Sequence, residues 1–271
     1  MRTSPFGGNM EPRIGIHHLS RSMAASPQPA PSNTPRVDYG LDAPGLVKTF
    51  ATLGIALLVV GLLLPHARPG ASSSTWSRVA YWMGGSWTVT ALLMFASSRF
   101  GKLRARDRLL DRLAFRGNET VLDVGCGHGL LLLGAARRIP RGRAIGVDLW
   151  SQKDQAANSA AATLANAELE RVRDRVEVRD GDMRQLPIDD ASIDVVVSSL
   201  AIHNVSSASD RAVAIGEIVR VLKPGGRVGI LDIAHIGEYA RVFRAHGCEV
   251  DRVALVPTIF PPTRELVAHK R

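Results

Sequence analysis

Two long apolar runs stand out near the start of the chain. Residues 46–64, LVKTFATLGIALLVVGLLL, carry one charge, Lys48, near one end, and residues 79–97, VAYWMGGSWTVTALLMFAS, carry none. At about 1.5 Å per residue, a helix over either run reaches roughly the ~30 Å thickness of a bilayer's hydrocarbon core. Residues 65–78 between them contain Pro and Gly, which favour a reversal of direction. The pattern predicts a two-helix transmembrane hairpin over residues 46–97.

Beyond residue 119 the pattern changes to short β-like runs separated by helix-length stretches. The β-like runs are 120–125, 144–149, 175–182, 193–200 and 227–233. The helical stretches are 129–139, 154–172, 210–222 and 238–247. Such alternation is typical of βαβ units, so we expect an α/β domain with a doubly wound, mostly parallel sheet over residues 119–271. Ligands bind such sheets beyond the carboxyl ends of the strands, where the strand order reverses.

Two segments flank these parts. Residues 1–45 are rich in Pro, Ser and Ala and lack apolar periodicity, which predicts a disordered N-terminal arm. Residues 98–118 are basic and place several leucines on one side of a helix. This connector is expected either to lie along a membrane surface as an amphipathic helix or to cap the following domain with a solvated charged face.

The charge distribution orients the predicted hairpin. The chain has a net charge of +9, and Lys and Arg cluster directly after the second apolar run, whereas the connection between the runs holds only Arg68 and Arg78. Basic residues near span ends prefer the cytoplasmic side, so both termini and the α/β domain are expected there. Two buried helices of a soluble domain, or a pair lying in the interface, are the alternatives.

The two cysteines, Cys126 and Cys248, lie far apart in the sequence and have no partner at metal-ligand spacing. Neither a disulfide framework nor a metal site is expected, and a reducing compartment is the simplest fit.

The segment VLDVGCGHGL, residues 121–130, places a glycine-rich turn directly after the first predicted strand. Its glycines are Gly125, Gly127 and Gly129. Without β-carbons, such a turn lets a ligand approach the backbone. Asp148 ends the second predicted strand, where a carboxylate can accept hydrogen bonds from both hydroxyls of a ribose. Leu130 replaces the third glycine of a dinucleotide fingerprint, and Asp123 favours an ammonium or sulfonium group over a pyrophosphate.

With these features in place, five motifs in order resemble the class I S-adenosylmethionine-dependent methyltransferases, in the small-molecule branch that includes the ubiquinone and menaquinone enzymes. The motifs are VLDVGCGHG, GVDLW, GDMRQLP, IDVVVSSLAIHNV and EIVRVLKPGGRVGI. The resemblance begins near Arg116, runs through the fifth strand and continues loosely to the C-terminus. It implies methyl transfer as the reaction and S-adenosyl-L-methionine as the cofactor.

The resemblance also implies a set of cofactor-binding residues. They are Asp123, Gly125, Cys126, Gly127, Gly129, Asp148, Leu149, Trp150, Asp182, Met183 and Ser198. Asp123 and the glycine turn would hold the methionine portion, and Asp148 would hold the ribose. Leu149 and Trp150 would flank the adenine, with the indole free to stack on it.

The remaining implied roles concern the adenine edge and the methyl group. The Asp182 carboxylate would accept from the exocyclic amine, and the Met183 amide would donate to the ring. Ser198 would line the approach to the methyl group. His203, just past the fourth strand, is a candidate base for a phenol or amine acceptor, with a hydrogen-bonded structural imidazole as the alternative.

The acceptor is less constrained. Only AHIG separates the fifth strand from the next helix, whereas many quinone-type relatives insert a lid there, so the connector and the bilayer are expected to cover the site. This favours a small, lipid-soluble acceptor. No nucleic-acid partner is expected, because SSLA replaces the proline-rich tetrapeptide of nucleic-acid amino-methyltransferases, and the oligomeric state is left open. The alternative is a non-catalytic, membrane-tethered nucleotide-binding or assembly protein with the same fold.

Overall fold

The computed structural model describes residues 37–67, 71–151 and 158–271. The predicted arm therefore lies outside the described residues up to position 36. The first two helices are α1 (Pro44–Ala67) and α2 (Ala71–Ala96). Both extend further than the apolar runs and take up most of the connection predicted between them. Pro44 is the first residue of α1, where its fixed φ and missing N–H cost nothing.

The two helices pack against each other through small residues. A β-carbon added to Gly84 would lie 2.7 Å from the backbone oxygen of Gly54, and one added to Gly61 would lie 3.2 Å from that of Ser77. The Ser77 hydroxyl donates to the Gly61 carbonyl across the same seam at 2.7 Å. Small residues that let helix backbones touch are typical of helix pairs in membranes.

The outer surface of this helix pair is apolar. Both helices are long and apolar enough to cross a membrane, over Pro44–Leu64 with mean hydropathy 2.2 and over Thr75–Arg112 with mean hydropathy 1.2. Only 11% and 22% of the respective apolar windows are buried within the protein. The exposed large side chains include Leu53, Ile55, Leu62, Trp76, Trp82, Leu92 and Phe95.

A π-helical turn, Ser97–Gly101, joins α2 without a break to α3 (Lys102–Arg112). The apolar side of α3 is buried in the following domain, with Leu109 and Leu110 fully buried. A β-carbon on Gly134 would lie 2.8 Å from Leu110 Cδ1, which shows how closely α3 packs. These leucines do not face a membrane surface. Of the two interpretations of this segment, the structure favours the one in which it caps the domain.

The α/β domain contains seven strands in one sheet. They are β1 (Thr120–Val124), β2 (Arg143–Asp148), β3 (Val176–Asp180), β4 (Ile193–Ser199), β5 (Leu222–Asp232), β6 (Cys248–Val256) and β7 (Thr263–Lys270). The helices between them are α4 (Leu130–Ala136), α5 (Ala160–Leu169), α6 (Ala208–Val221) and α7 (Ile236–Ala245). All five strands and all four helices expected from the sequence are present, although residues 154–157 of the second helical stretch lie outside the described residues.

The strand order is β3-β2-β1-β4-β5-β7-β6. The first five strands are parallel, and β7 runs antiparallel to both β5 and β6. This confirms an α/β fold with a mostly parallel, Rossmann-like sheet. The order reverses at β1, whose neighbours are β2 and β4, so the switch point lies at the carboxyl ends of these three strands.

Residues 37–43, which the sequence assigns to the flexible arm, form a short strap over the domain. Tyr39 is buried, and its hydroxyl donates to Glu170 at 2.7 Å. The Asn166 side chain accepts from the Asp38 amide at 3.1 Å and donates to the Asp38 carbonyl at 2.8 Å. The strap leads directly into α1, so it connects the domain to the first long helix.

Candidate active site

A cavity of about 950 Å³ lies at the carboxyl ends of β1, β2 and β4. Its lining includes Asp123, Gly125, Cys126, Gly127, Asp148, Leu149, Asp182, Met183 and His203 from the predicted site. Gly129, Trp150 and Ser198 are not among the described residues that line it. The structure thus brings together nine of the twelve site residues expected from the sequence.

The turn after β1 can follow its path only with glycine. Gly125 has a φ of 73°, and its amide donates to the Val147 carbonyl at 2.8 Å. A β-carbon at Gly125 would overlap that of Ala201, which lies directly beside the turn. Gly129, with a φ of 86°, precedes α4 and donates to the Cys126 carbonyl at 2.8 Å. Gly129 therefore shapes the turn rather than lining the cavity.

Asp123 is buried and only half satisfied. Its Oδ2 accepts from the Leu132 amide at 2.8 Å, whereas the described residues provide no hydrogen-bond partner for its buried Oδ1. Burial raises the pKa of this carboxyl to about 8, although the Leu132 hydrogen bond opposes the shift and nearby Asp148 adds to it. A buried acceptor without a partner is costly. A cationic group in the cavity would satisfy it and stabilise its ionised form.

Asp148 ends β2 and lies partly exposed at the cavity. Its Oδ2 accepts from the Gly127 amide at 2.8 Å, and its Oδ1 accepts from the Trp150 amide at 2.6 Å. The Asn158 side chain adds a longer contact of 3.3 Å to Oδ1. A carboxylate offers about four lone-pair sites, so the backbone contacts orient it while leaving room for a hydroxyl donor.

Cys126 fills space between the turn and the sheet. It is buried, and a β-carbon on Gly146 would lie 2.7 Å from its sulfur. Burial raises the pKa of the thiol well above its usual value, so it is not a thiolate at neutral pH. His128 of the same turn is also buried. Among the described residues, no group of three or more His, Cys, Asp or Glu side chains is arranged to hold a metal ion.

The indole of Trp150 is anchored within the protein. It packs against the apolar core, and its Nε1 donates to Asp180 at the end of β3. Trp150 is not among the described residues that line the cavity, so stacking of its ring on an adenine stays a prediction. Leu149, 63% exposed, lines the cavity and keeps the predicted position.

Asp182 lines the cavity but is paired with a neighbour. Its carboxylate accepts from the Arg184 guanidinium at 2.6 Å and from the Arg184 amide at 2.9 Å. The Arg184 hydrogen bonds hold the pKa of this carboxyl below its ordinary value. An adenine amine would therefore compete with Arg184 for an ionised acceptor. Met183 is half-buried beside it.

Of the two serines that end β4, the second faces the cavity. Ser198 is buried, and its hydroxyl donates to the Val124 carbonyl of β1 at 2.7 Å. Ser199 lines the cavity. Successive side chains of a strand point to opposite faces, so Ser199 occupies the place that the sequence assigned to Ser198.

His203 is paired with an acid that sequence analysis did not single out. Its Nδ1 lies 2.6 Å from Oδ1 of Asp232, and its amide donates to Oδ2 of the same carboxylate at 3.1 Å. Asp232 is fully buried at the end of β5 and also accepts from the Tyr239 hydroxyl at 3.3 Å. The ring contact is close but lacks hydrogen-bond geometry, so the amide contact is the one that fixes His203 beside Asp232. An imidazole beside a buried carboxylate that reaches a cavity is a common arrangement for a general base.

The cavity continues beyond these residues to the base of the two long helices. Leu46 and Phe50 of α1, and Thr90 and Met94 of α2, contribute to its lining. Residues 259–261, in the connection between β6 and β7, form the opposite side. One cavity therefore joins the turn after β1 to the first long helices.

Comparison with known proteins agrees with this geometry. Residues 122–230 match the family model described as a methyltransferase domain. The chain is 31% identical over 130 residues to a demethylmenaquinone methyltransferase of Lactobacillus johnsonii, covering 47% of this chain and 49% of that protein. It is 32% identical over 149 residues to a chloroplastic 2-phytyl-1,4-beta-naphthoquinone methyltransferase of Arabidopsis thaliana, covering 54% of each. The chain spans about half of the length of these relatives.

Solved structures show the same fold. The geranyl diphosphate C-methyltransferase of Streptomyces coelicolor, in complex with Mg²⁺, geranyl diphosphate and S-adenosyl-L-homocysteine, superposes with a TM-score of 0.52 at 16% identity. The match covers 84% of this chain and 99% of that one. Residues 122–230 are thus similar to a methyltransferase domain, and the solved structure shares the fold of the chain.

The residues present fit S-adenosylmethionine. The unpartnered Oδ1 of Asp123 suits the ammonium of its methionine portion. Asp123, Gly125 and Gly127 line the same cavity, so the ammonium can reach this carboxylate from the cavity. Asp148 lies one strand over, as a ribose would require.

Proposed function

We propose that the chain is a membrane-anchored methyltransferase that moves a methyl group from S-adenosylmethionine to a small, lipid-soluble acceptor. The observation that carries the proposal is the single cavity that holds both Asp123 and Asp148 and extends to Phe50 and Met94 of the apolar helices. A cofactor held at one end would meet an acceptor that arrives from the membrane at the other.

Three features support insertion of α1 and α2 as a hairpin. The exposed side chains of both helices are large and apolar, as lipid requires. Their closest backbone contacts are at Gly54, Gly61 and Gly84, as in helix pairs that approach closely within membranes. The hydroxyls of Thr49, Thr52, Thr88 and Thr90 donate to carbonyls four residues earlier in their own helices, so these four polar groups are satisfied without water.

The proposed topology places both termini and the α/β domain in the cytoplasm. Arg99, Lys102 and Arg104 follow α2 closely, whereas Arg78 is the basic residue described near the opposite end. An excess of basic residues on the domain side agrees with the positive-inside rule and with attraction to anionic lipid headgroups.

Within the site, Asp123 would hold the ammonium, Asp148 the ribose hydroxyls, and Asp182 the adenine amine. Bound S-adenosylmethionine supplies a methyl group on a positively charged sulfur, which departs as a neutral thioether. The main task of the protein is therefore to orient the two reactants. Loss of one acceptor proton accompanies transfer to a phenol or amine. His203, oriented by Asp232, would take that proton at its free ring nitrogen.

The experiment uses the full chain in nanodiscs made with a total membrane lipid extract and methyl-labelled S-adenosylmethionine. We expect label in the organic phase. We expect His203→Ala to bind the cofactor normally while transferring label about 10²-fold or more slowly, the ordinary range for removal of a general base. Label confined to the aqueous phase would reject the lipid-soluble acceptor, and unchanged turnover in His203→Ala would reject the base.

A non-catalytic, membrane-tethered binding or assembly protein is the second candidate. Its supporting observation is that Asp148 and Asp182 already have partners within the protein. Calorimetry separates the two functions, because a vestigial pocket gives no heat with S-adenosylmethionine.

A further inference from the structure

The far end of the cavity is made by the parts of α1 and α2 nearest the domain. Leu46 and Phe50 are four residues apart on α1, and Thr90 and Met94 are four residues apart on α2. At about 1.5 Å per residue, the cavity extends roughly 6 Å along each helix, or about one turn. Asp123, Asp148 and His203 line the same cavity from the α/β domain.

The inner and outer sides of α2 differ sharply at this level. Met94 lines the cavity and is 9% exposed, whereas Leu92 and Phe95 are 62% and 46% exposed on the outer surface. Within one helical turn, Met94 therefore faces the cavity, whereas Leu92 and Phe95 face the surroundings of the hairpin. Leu46 of α1 lines the cavity and is itself 54% exposed, so at this level the cavity borders the exposed apolar surface of the hairpin.

The π-helical turn fixes this end of the cavity on two sides. The Ser97 hydroxyl accepts from the Phe260 amide at 2.7 Å, and the Ser98 hydroxyl accepts from the Asp42 amide at 2.9 Å. One contact holds the connection between β6 and β7, and the other holds the strap that leads into α1. Both segments line the cavity. π-Helical turns often occur at functional sites.

Lys102 and Gly101 make the junction tighter. The buried Lys102 ammonium donates to the carbonyls of Tyr39 and Gly40 at 3.0 and 2.6 Å and pairs with Asp42 at 3.2 Å. Gly101 lies so close to the Thr258 carbonyl that a β-carbon would overlap it. The hairpin is thus joined to the walls of the cavity at several points and cannot be regarded as a tether alone.

We infer that the base of the hairpin is the binding site for the apolar tail of the acceptor. The acceptor is an amphiphile whose reactive head lies near His203 and whose tail passes Phe50, Met94 and Phe260 into the membrane. This inference rests on the proposed function and adds to it the residues that select the acceptor. The occupant follows from the continuity of the cavity with the exposed apolar surface of the same helices.

The test uses a long-chain alkylphenol that carries a photoreactive diazirine in its tail, added to the full chain in nanodiscs. In the wild-type protein, mass spectrometry is expected to find the label on residues lining the far end, such as Phe50 and Met94. Label confined to the outer surface, at Leu92 and its exposed neighbours, would overturn the inference. This mapping requires no variant, so it does not depend on the folding of an altered chain.

A matched pair of substitutions gives a second readout. Met94→Trp fills the cavity and is expected to lower labelling of Phe50 at least tenfold, whereas Leu92→Trp, on the outer surface of the same helix, should leave it within twofold. Equal labelling in the two variants would contradict the inference. Calorimetry with S-adenosylmethionine is run on each protein. Heat without tail labelling refutes only the acceptor site, whereas absence of heat in the wild type refutes the proposed function.

Discussion

The charge state of Asp123 makes cofactor binding depend on pH. Burial raises the pKa of this carboxyl to about 8, so at pH 6 it is almost entirely protonated and neutral. Binding of an ammonium requires the ionised form. The ionised fraction is about 0.01 at pH 6.0 and about 0.24 at pH 7.5, so the apparent affinity for S-adenosylmethionine should rise about 25-fold over this range. The range ends below the ordinary pKa of an α-amino group, about 7.7 to 8.0, so the ligand stays largely charged.

Asp123→Asn is the matched variant. The side-chain amide keeps an oxygen for the Leu132 amide but cannot ionise. At pH 7.5 we expect roughly 10-fold or greater weakening, because hydrogen bonds to charged groups contribute about 1.5–3 kcal/mol. Toward pH 6 the cofactor affinities of the two proteins should converge, because Asp123 of the wild type must then lose a proton before the ammonium can bind.

Isothermal titration calorimetry measures both effects. At pH 6.5 the wild type should release about one proton per cofactor bound, detected as a dependence of the enthalpy on the ionisation enthalpy of the buffer. The variant should release none from this position. A wild-type affinity that does not change between pH 6.0 and 7.5, or that changes equally in Asp123→Asn, would refute the assignment of Asp123 to the ammonium.

The remaining predictions use substitutions with internal controls. Gly125→Ala should abolish the heat of cofactor binding, because it adds a steric overlap to a strained φ of 73°. Gly225 has a nearly equal φ of 74° but open space around it, so Gly225→Ala should bind the cofactor normally. Gly84→Ala should lower hairpin stability by about 1–3 kcal/mol through overpacking. Gly85→Ala should leave the stability of the hairpin unchanged, because a β-carbon at Gly85 would have nothing within 4 Å. Thermal unfolding in detergent compares the two variants, and equal melting temperatures would contradict the close contact at Gly84. Asp232→Asn should slow methyl transfer about 10²-fold without weakening cofactor binding. Unchanged turnover would show that Asp232 does not orient His203 for catalysis.

The parallel part of the fold could be predicted because its pattern is strong. Parallel strands with both faces covered are nearly continuous apolar runs, as in β1 and β4, and their spacing indicates the crossover helices. The antiparallel pair was missed. In β6, residues such as Glu249 and Arg252 interrupt the apolar pattern, because this edge strand leaves much of its surface exposed.

The site could be predicted where residue type alone was informative. Asp123 and Asp148 are acids at the ends of buried strands, and the structure places both at the cavity. The resemblance implied Ser198 at the end of β4, but the sequence does not fix which of two successive side chains faces a ligand, and Ser199 is the one that lines the cavity. Asp232 carries the same signal as Asp148, an acid that ends a buried strand, and could have been found by applying that rule to β5.

The strap around Tyr39 shows why composition alone did not predict an ordered segment. The proline-rich surroundings of the strap indicate disorder, yet its contacts with Asn166 and Glu170 lie more than a hundred residues away in sequence. No local pattern contains such contacts. Trp150 is a similar case, because its indole N–H donates to Asp180, 30 residues away in the sequence, and the residues around Trp150 do not reveal this contact.

The most direct test of the account is an experimental structure of the full chain in a nanodisc with S-adenosyl-L-homocysteine. The account predicts the ligand's amino nitrogen within hydrogen-bond distance of Asp123 Oδ1, its ribose hydroxyls at Asp148, and its sulfur facing the part of the cavity that leads to Phe50 and Met94. A ligand bound elsewhere, or a cavity closed off from the hairpin by side chains, would contradict it.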